Sequence, residues 1–152
     1  MGDGTAYLGQ EGFMSATILI VEDHEAMRQA LRGWLEITFP GCCVIEAADG
    51  KEAIVMAEAF SPHVIVVDIG RPGANGLETT ARIKAIAPAT QVVVLTSYEA
   101  EAHYAHAMAI GASACVPRAR ITDELRSTLA DLLSPSNESV GPRERGSPCY
   151  CK

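Results

Sequence analysis

The chain has 152 residues, a net charge of −7, 48% apolar residues and 20% charged ones. That is the size and balance of one globular domain able to bury a core without disulfides. The acidic balance argues against a nucleic-acid or anionic-membrane face, and no apolar run approaches the ~20 residues that span a bilayer.

Residues 1–10 carry no basic segment leading into an apolar one, so no secretory signal is read and a cytoplasmic location is expected. Residues 1–15 hold Gly2, Gly4, Gly9 and Gly12 and no period, and read as a flexible extension. From Ala16 onward strands and helices alternate. Thr17 to Val21 is a short apolar run suited to a strand covered on both faces. A helix follows from Glu25 to Thr38, with Met27, Leu31, Trp34 and Leu35 at helical spacing, and Pro40-Gly41 stops it. Cys42 to Ala47 reads as the second strand. Asp49 with Glu52 resembles a capping box and opens a helix to Phe60, broken by Ser61-Pro62.

His63 to Val67 is the most β-branched run and reads as a central parallel strand. Gly and Pro mark residues 69–76 as a loop. A helix from Leu77 to Ala87 ends at Pro88. Gln91 to Leu95 is the fourth strand, Ala100 to Ile110 a helix closed by Gly111, and Ser113 to Val116 the fifth strand. Thr122 is expected to cap a last helix along Leu125, Leu129, Leu132 and Leu133. After Ser134 the composition turns to Pro, Gly and Ser, so residues 135–152 read as a disordered tail. Of five cysteines, Cys42, Cys43 and Cys115 read as buried thiols. Cys149 and Cys151 lie in the tail, with no second pair to complete a zinc site.

Five βα units predict an α/β fold, doubly wound around a five-stranded parallel sheet. In such sheets ligands bind beyond the carboxyl ends of the strands. The residues there are Glu22 and Asp23 after strand one, Asp68 after strand three, Thr96 after strand four and Arg118 after strand five. Each has an ordinary reading alone: Glu22-Asp23 can open a helix, and Thr96 can serve a turn. Together they make a pocket. Converging carboxylates call for raised pKa values or a cation, and Mg²⁺ takes oxygen ligands of this kind. A hydroxyl and a fixed cation suit a phosphoryl group, and a carboxylate can be its nucleophile. No Gly-rich loop follows strand one, which argues against a nucleotide or flavin phosphate site.

The motifs Ile18-Leu19-Ile20-Val21-Glu22-Asp23-His24, Val66-Val67-Asp68-Ile69-Gly70-Arg71-Pro72, Val94-Leu95-Thr96-Ser97-Tyr98 and Gly111-Ala112-Ser113-Ala114-Cys115-Val116-Pro117-Arg118 resemble those of bacterial response regulator receiver domains, over 16–134. Receivers attached to LuxR/NarL-type DNA-binding domains are the most similar in wording. The resemblance implies a CheY-like, flavodoxin-like sheet of order 2-1-3-4-5. It implies that Asp68 accepts a phosphoryl group from a sensor histidine kinase or a histidine phosphotransfer protein. Glu22, Asp23, Asp68 and the Gly70 carbonyl would hold Mg²⁺, and Thr96 would hydrogen-bond the phosphoryl oxygen. Pro72 and Gly76 shape the loop after the nucleophile, and Tyr98 and Gly70 tune access of water.

This chain departs from the family at several positions. Arg118 stands where the family has Lys, and a planar fork does not replace an ammonium at a tight phosphate site. Cys115 stands where the family has Tyr or Phe. Arg71 and Ala74 replace the common methionines. The expected function is a phosphorylation switch rather than an enzyme, signalling to a protein partner or a second copy, with no nucleic-acid or membrane binding by this chain. The alternative is a pseudo-receiver, an interaction module that works without phosphate. A phosphorelay carrier shares the switch chemistry.

Overall fold

The structure is a computed structural model describing residues 16–68, 76–96 and 101–134. The expected extensions, 1–15 and 135–152, lie outside the described residues. The elements are β1 (Thr17–Val21), α1 (Glu25–Thr38), β2 (Cys43–Ala47), α2 (Gly50–Phe60), β3 (Val64–Asp68), α3 (Gly76–Ile86), β4 (Gln91–Thr96), α4 (Glu101–Ala109), β5 (Ala114–Pro117) and α5 (Arg126–Leu133). The five strands form one parallel sheet of order β2-β1-β3-β4-β5.

Alternation along each strand builds two apolar layers. Ile18 and Ile20 of β1, Val64 and Val66 of β3, and Val93 and Leu95 of β4 pack with Leu31 and Leu35 of α1 and Leu129 and Leu133 of α5. Leu19 and Val21, Ile65 and Val67, and Val92 and Val94 pack with Ala53 and Ala57 of α2, Ile83 of α3 and Ala107 of α4. Successive strand residues point to opposite faces, so an unbroken apolar run is what a sheet covered on both sides requires. Val64, Ile65, Val66 and Val67 are wholly buried. Each such side chain contributes about 1.5–3 kcal/mol relative to exposure. Exposed ion pairs contribute about 0–1 kcal/mol each, so the sheet core holds the site in place.

Local chemistry sets the helix ends. Asp49 Oδ1 accepts from Glu52 N–H at 2.9 Å, and Glu52 Oε1 accepts from Ala48 N–H at 2.8 Å. This is the expected capping box, with its return arm reaching one residue further back. α1 is capped by a residue not anticipated: His24 Nδ1 accepts from Met27 N–H at 3.2 Å. Thr122 does not cap the last helix. The chain leaves β5 through a tight 3₁₀ turn (Arg118–Arg120) and a wide π turn (Ile121–Leu125) before α5 starts at Arg126. The apolar stripe from Leu125 onward holds, but the entry to it takes these two unlike turns. Cys42 and Cys115, expected to be buried, are half-buried, and Cys43 is buried as expected but disulfide-bonded rather than a thiol. No helix among the described residues is long and apolar enough to cross a membrane.

Candidate functional site

β1 and β3 are neighbours in the sheet, but β1 connects outward to β2 and β3 connects the other way to β4. Their carboxyl ends therefore bound the crevice where strand order reverses, which is where ligands bind in open α/β sheets. Val21 is in register with Val67, so Glu22 and Asp68 come next, side by side. Asp68 is also aligned with Leu95, and Thr96 with Pro117, which brings β4 and β5 to the same edge. Thr96 is buried there, as the last residue of β4.

Two carboxylates are buried at this crevice: the side chains of Glu22 and Asp68 are 3% and 2% exposed. Glu22 Oε2 accepts from the His24 N–H at 2.9 Å. Glu22 Oε1 is buried and has no hydrogen-bond partner among the described residues. Burial, then the Asp68 carboxylate beside it, pushes the Glu22 pKa up to about 8, although the His24 N–H and Arg118 oppose the rise. A buried oxygen left with an open lone pair is what an oxygen-seeking cation would complete.

Among the described residues, Arg118 brings a positive charge to the two acids. Its Nε and Nη2 donate to the same oxygen, Asp68 Oδ2, at 2.9 and 2.5 Å. Nη2 also lies 3.6 Å from Glu22 Oε1. The guanidinium thus straddles the two acids, and the side chain as a whole is 35% exposed. In strand alternation Glu22, Asp68 and Arg118 are in phase with Ile20, Val66 and Val116, all of one apolar layer. That shared phase explains why these three meet.

Asp23, the second member of the acidic pair, is solvent-exposed. Among the described residues no three His, Cys, Asp or Glu side chains close around one point. The structure thus joins Glu22, Asp68 and Arg118 and leaves Asp23 on the rim. Gly70, Arg71, Pro72, Ala74 and Tyr98 lie outside the described residues. Cys115 is half-buried and packs on the α2–α3–α4 layer.

One contributor escaped the sequence reading. Arg28 Nη1 donates to the Glu22 backbone carbonyl at 2.9 Å, and its Nε donates to Glu46 on β2 at 2.9 Å. Arg32, one turn on, meets the other Glu46 oxygen at 2.5 Å. Burial pushes the Glu46 carboxyl up, but Arg32 and Arg28 outweigh it and hold its pKa below the ordinary range. Two arginines four apart on α1 were the available signal, since that spacing places them on one face.

Fold and pocket define a doubly wound α/β module with buried acids at its switch point. The family model described as "Response regulator receiver domain" matches residues 18–130. The transcriptional regulatory protein DegU of Brevibacillus brevis is 31% identical over 96 residues, which are 63% of this chain and 41% of that protein. The nitrate/nitrite response regulator NarL of Escherichia coli K12 is 32% identical over 81 residues, 53% of this chain and 38% of that one. The chain thus spans less than half the length of these relatives. A crystal structure of a LuxR-family two-component response regulator from Aurantimonas sp. SI85-9A1 superposes with a TM-score of 0.72 at 30% identity, covering 82% of this chain and 94% of that one. The chain belongs to the response regulator receiver domain family.

Proposed function

We propose that the domain is a phosphorylation switch in which Asp68 is the phosphoacceptor. The observation that carries this reading is the buried pair of Glu22 and Asp68 at the switch point, with an open lone pair on Glu22 Oε1. An Asp68 oxygen attacks phosphorus, the bond from phosphorus to the donor nitrogen breaks, and the imidazole keeps the electron pair. The product is an acyl phosphate on Asp68. The donor is a phosphohistidine on a sensor kinase or a histidine phosphotransfer protein. Thr96, buried at the end of the neighbouring strand, donates its hydroxyl to a phosphoryl oxygen. Glu22 and Asp68, with Asp23 on the rim and the Gly70 carbonyl, would hold Mg²⁺. Bound there, the ion supplies positive charge against the transferring phosphoryl oxygens.

The domain acts as a cytoplasmic switch rather than an enzyme for an external substrate, and its output passes to a protein partner or a second copy. A second reading, a phosphate-independent interaction module, is favoured by one feature: Arg118 already satisfies Asp68 Oδ2 with two donors. Intact-mass measurement after incubation with acetyl phosphate and Mg²⁺ separates the two. The switch requires a gain of one phosphoryl group in the native chain and none in Asp68→Asn. An unmodified native chain would establish the second reading.

A further inference from the structure

The disulfide at Cys43 has a partner that elimination identifies. The sequence holds five cysteines. Cys42 and Cys115 carry thiols, and Cys43 does not. Cys149 and Cys151 remain, with Tyr150 between them. The fold gives Cys43 and the C-terminal segment a common address. Cys43 is the first residue of β2, and its N–H donates to the Ala16 carbonyl at 2.9 Å, so it stands at the amino edge of the sheet. α5 follows the carboxyl end of β5 and packs along the sheet, which returns its last turn toward that same edge. Leu133 at its end shares one apolar layer with Ala16, Val44 and Cys42. From Ser134 to Cys149 is fifteen residues, which reach up to about 50 Å when extended. Crossing all five strands takes four strand spacings, about 19 Å. Chemistry selects Cys43 over its neighbour. Cys42 packs against the α1–α5 layer, and burial pushes its thiol up to about 12. The thiolate is the form that exchanges with disulfides, so Cys42 is a poor competitor for the bond.

We propose that Cys43 and the Cys149-Tyr150-Cys151 element are a redox-reversible tether, which holds the C-terminal segment at the β2 edge in an oxidised form of the chain and releases it in a reduced one. Closing the tether joins two thiol sulfurs, and two electrons and two protons pass to a low-molecular-weight disulfide that leaves as two thiols. A dithiol returns them and reopens the bond. The closed loop runs from residue 43 to residue 149 or 151, and long loops are those in which a cross-link most restricts the unfolded chain. Disulfides inside cells are mostly transient and redox-sensing, which suits a reversible bond rather than a permanent staple. Glu22 and Asp68 follow the carboxyl ends of β1 and β3, so the tether and the acidic pocket occupy opposite edges of the sheet.

The test is thiol mapping of the full chain after equilibration with oxidised glutathione, by alkylation under denaturing conditions and mass analysis of the intact protein and its peptides. The tether predicts a monomer with three alkylated cysteines (five less the two in the bond), rising to five after dithiothreitol. It also predicts a cross-linked peptide pairing Cys43 with Cys149 or Cys151. Reduction should lower the native Tm by roughly 10 °C. A variant carrying both Cys149→Ser and Cys151→Ser changes no residue of the two apolar layers. It should show no cross-link to Cys43 and no change of Tm on reduction. Five alkylated cysteines in the native chain before reduction would overturn the tether. So would a cross-link through Cys42, a bond between two copies, a glutathione adduct on Cys43 in place of the internal bond, or an equal drop of Tm in the double variant.

Discussion

At position 50 a hydrogen is the whole side chain because the neighbouring helix leaves no room for more. A Cβ built on Gly50, at the start of α2, would lie 2.4 Å from Thr79 Oγ1 on α3. Thr79 is itself buried, so the contact cannot be relieved by swinging into solvent. Gly50→Ala is expected to cost about 1–3 kcal/mol, the usual penalty of overpacking, despite alanine's better helix propensity. Urea unfolding checks the magnitude. Adding Thr79→Ala should recover part of the loss, a coupling that separates residues would not show. None of this was legible in the sequence, where Gly50 looks like a helix-start residue among others. The residues after each strand were legible, because strand ends could be read from β-branched runs. That Asp68 and Arg118 touch was not, since the contact spans fifty positions and depends on the phase of two strands and the reach of one side chain.

The elements were read to within a residue or so wherever an apolar run or a cap marked them. β1 and α1 have the expected bounds, and β3 gains Asp68 at its end while His63 drops out. The start of the last helix was misplaced, because Thr122 has the chemistry of a cap but the backbone there is still in a wide turn. The clamp of α1 on β2 also needed three dimensions. Glu46 accepts from Arg28 and Arg32 together and ties the helix to the edge strand. Its pKa lies below the ordinary 4.5, with burial opposed and outweighed by Arg32 and Arg28. For a carboxylate depressed in the folded state, stability is fully present above the unfolded pKa and lost as pH falls through the folded one. Glu46→Gln should therefore lower stability at neutral pH by about 1 kcal/mol. The gap between the two proteins should close as pH drops below 4.5. Denaturant midpoints across that range supply the check. A constant gap would mean that the arginines gain nothing from the charge on Glu46.

Across the whole molecule, the two apolar layers serve different parts of the site. The α1–α5 layer lies behind Glu22, Asp68 and Arg118. Leu129 of α5 is wholly buried in it. Leu129→Ala is expected to cost about 2–5 kcal/mol by leaving a cavity under the sheet. Thermal or urea unfolding measures it, and a loss under about 1 kcal/mol would mean that α5 is not integral to the core. The five parallel strands and the helix layers on both faces were readable in outline, because continuous apolar strands alternating with helical periods admit few arrangements, whereas the order 2-1-3-4-5 was implied by the family resemblance. Arg118 was readable as a fixed cation at the same sheet edge, but its two-donor contact with Asp68 was not, because it depends on side-chain reach between separate strands.

The two unlike turns between β5 and α5 set an angular relation. From Arg118 to Leu125 the backbone winds tightly once and loosely once, and only then does the regular helix begin. Each helical residue turns the chain by about 100°. Losing or gaining one residue in this stretch would rotate Leu125, Leu129 and Leu133 away from the sheet, or swing Arg118 off Asp68. Pocket and core stripe are geared through a spacer whose count of residues matters more than their identity. Ala119, Arg120, Thr122 and Asp123 all face solvent and can change, but their number is what keeps the two ends in phase.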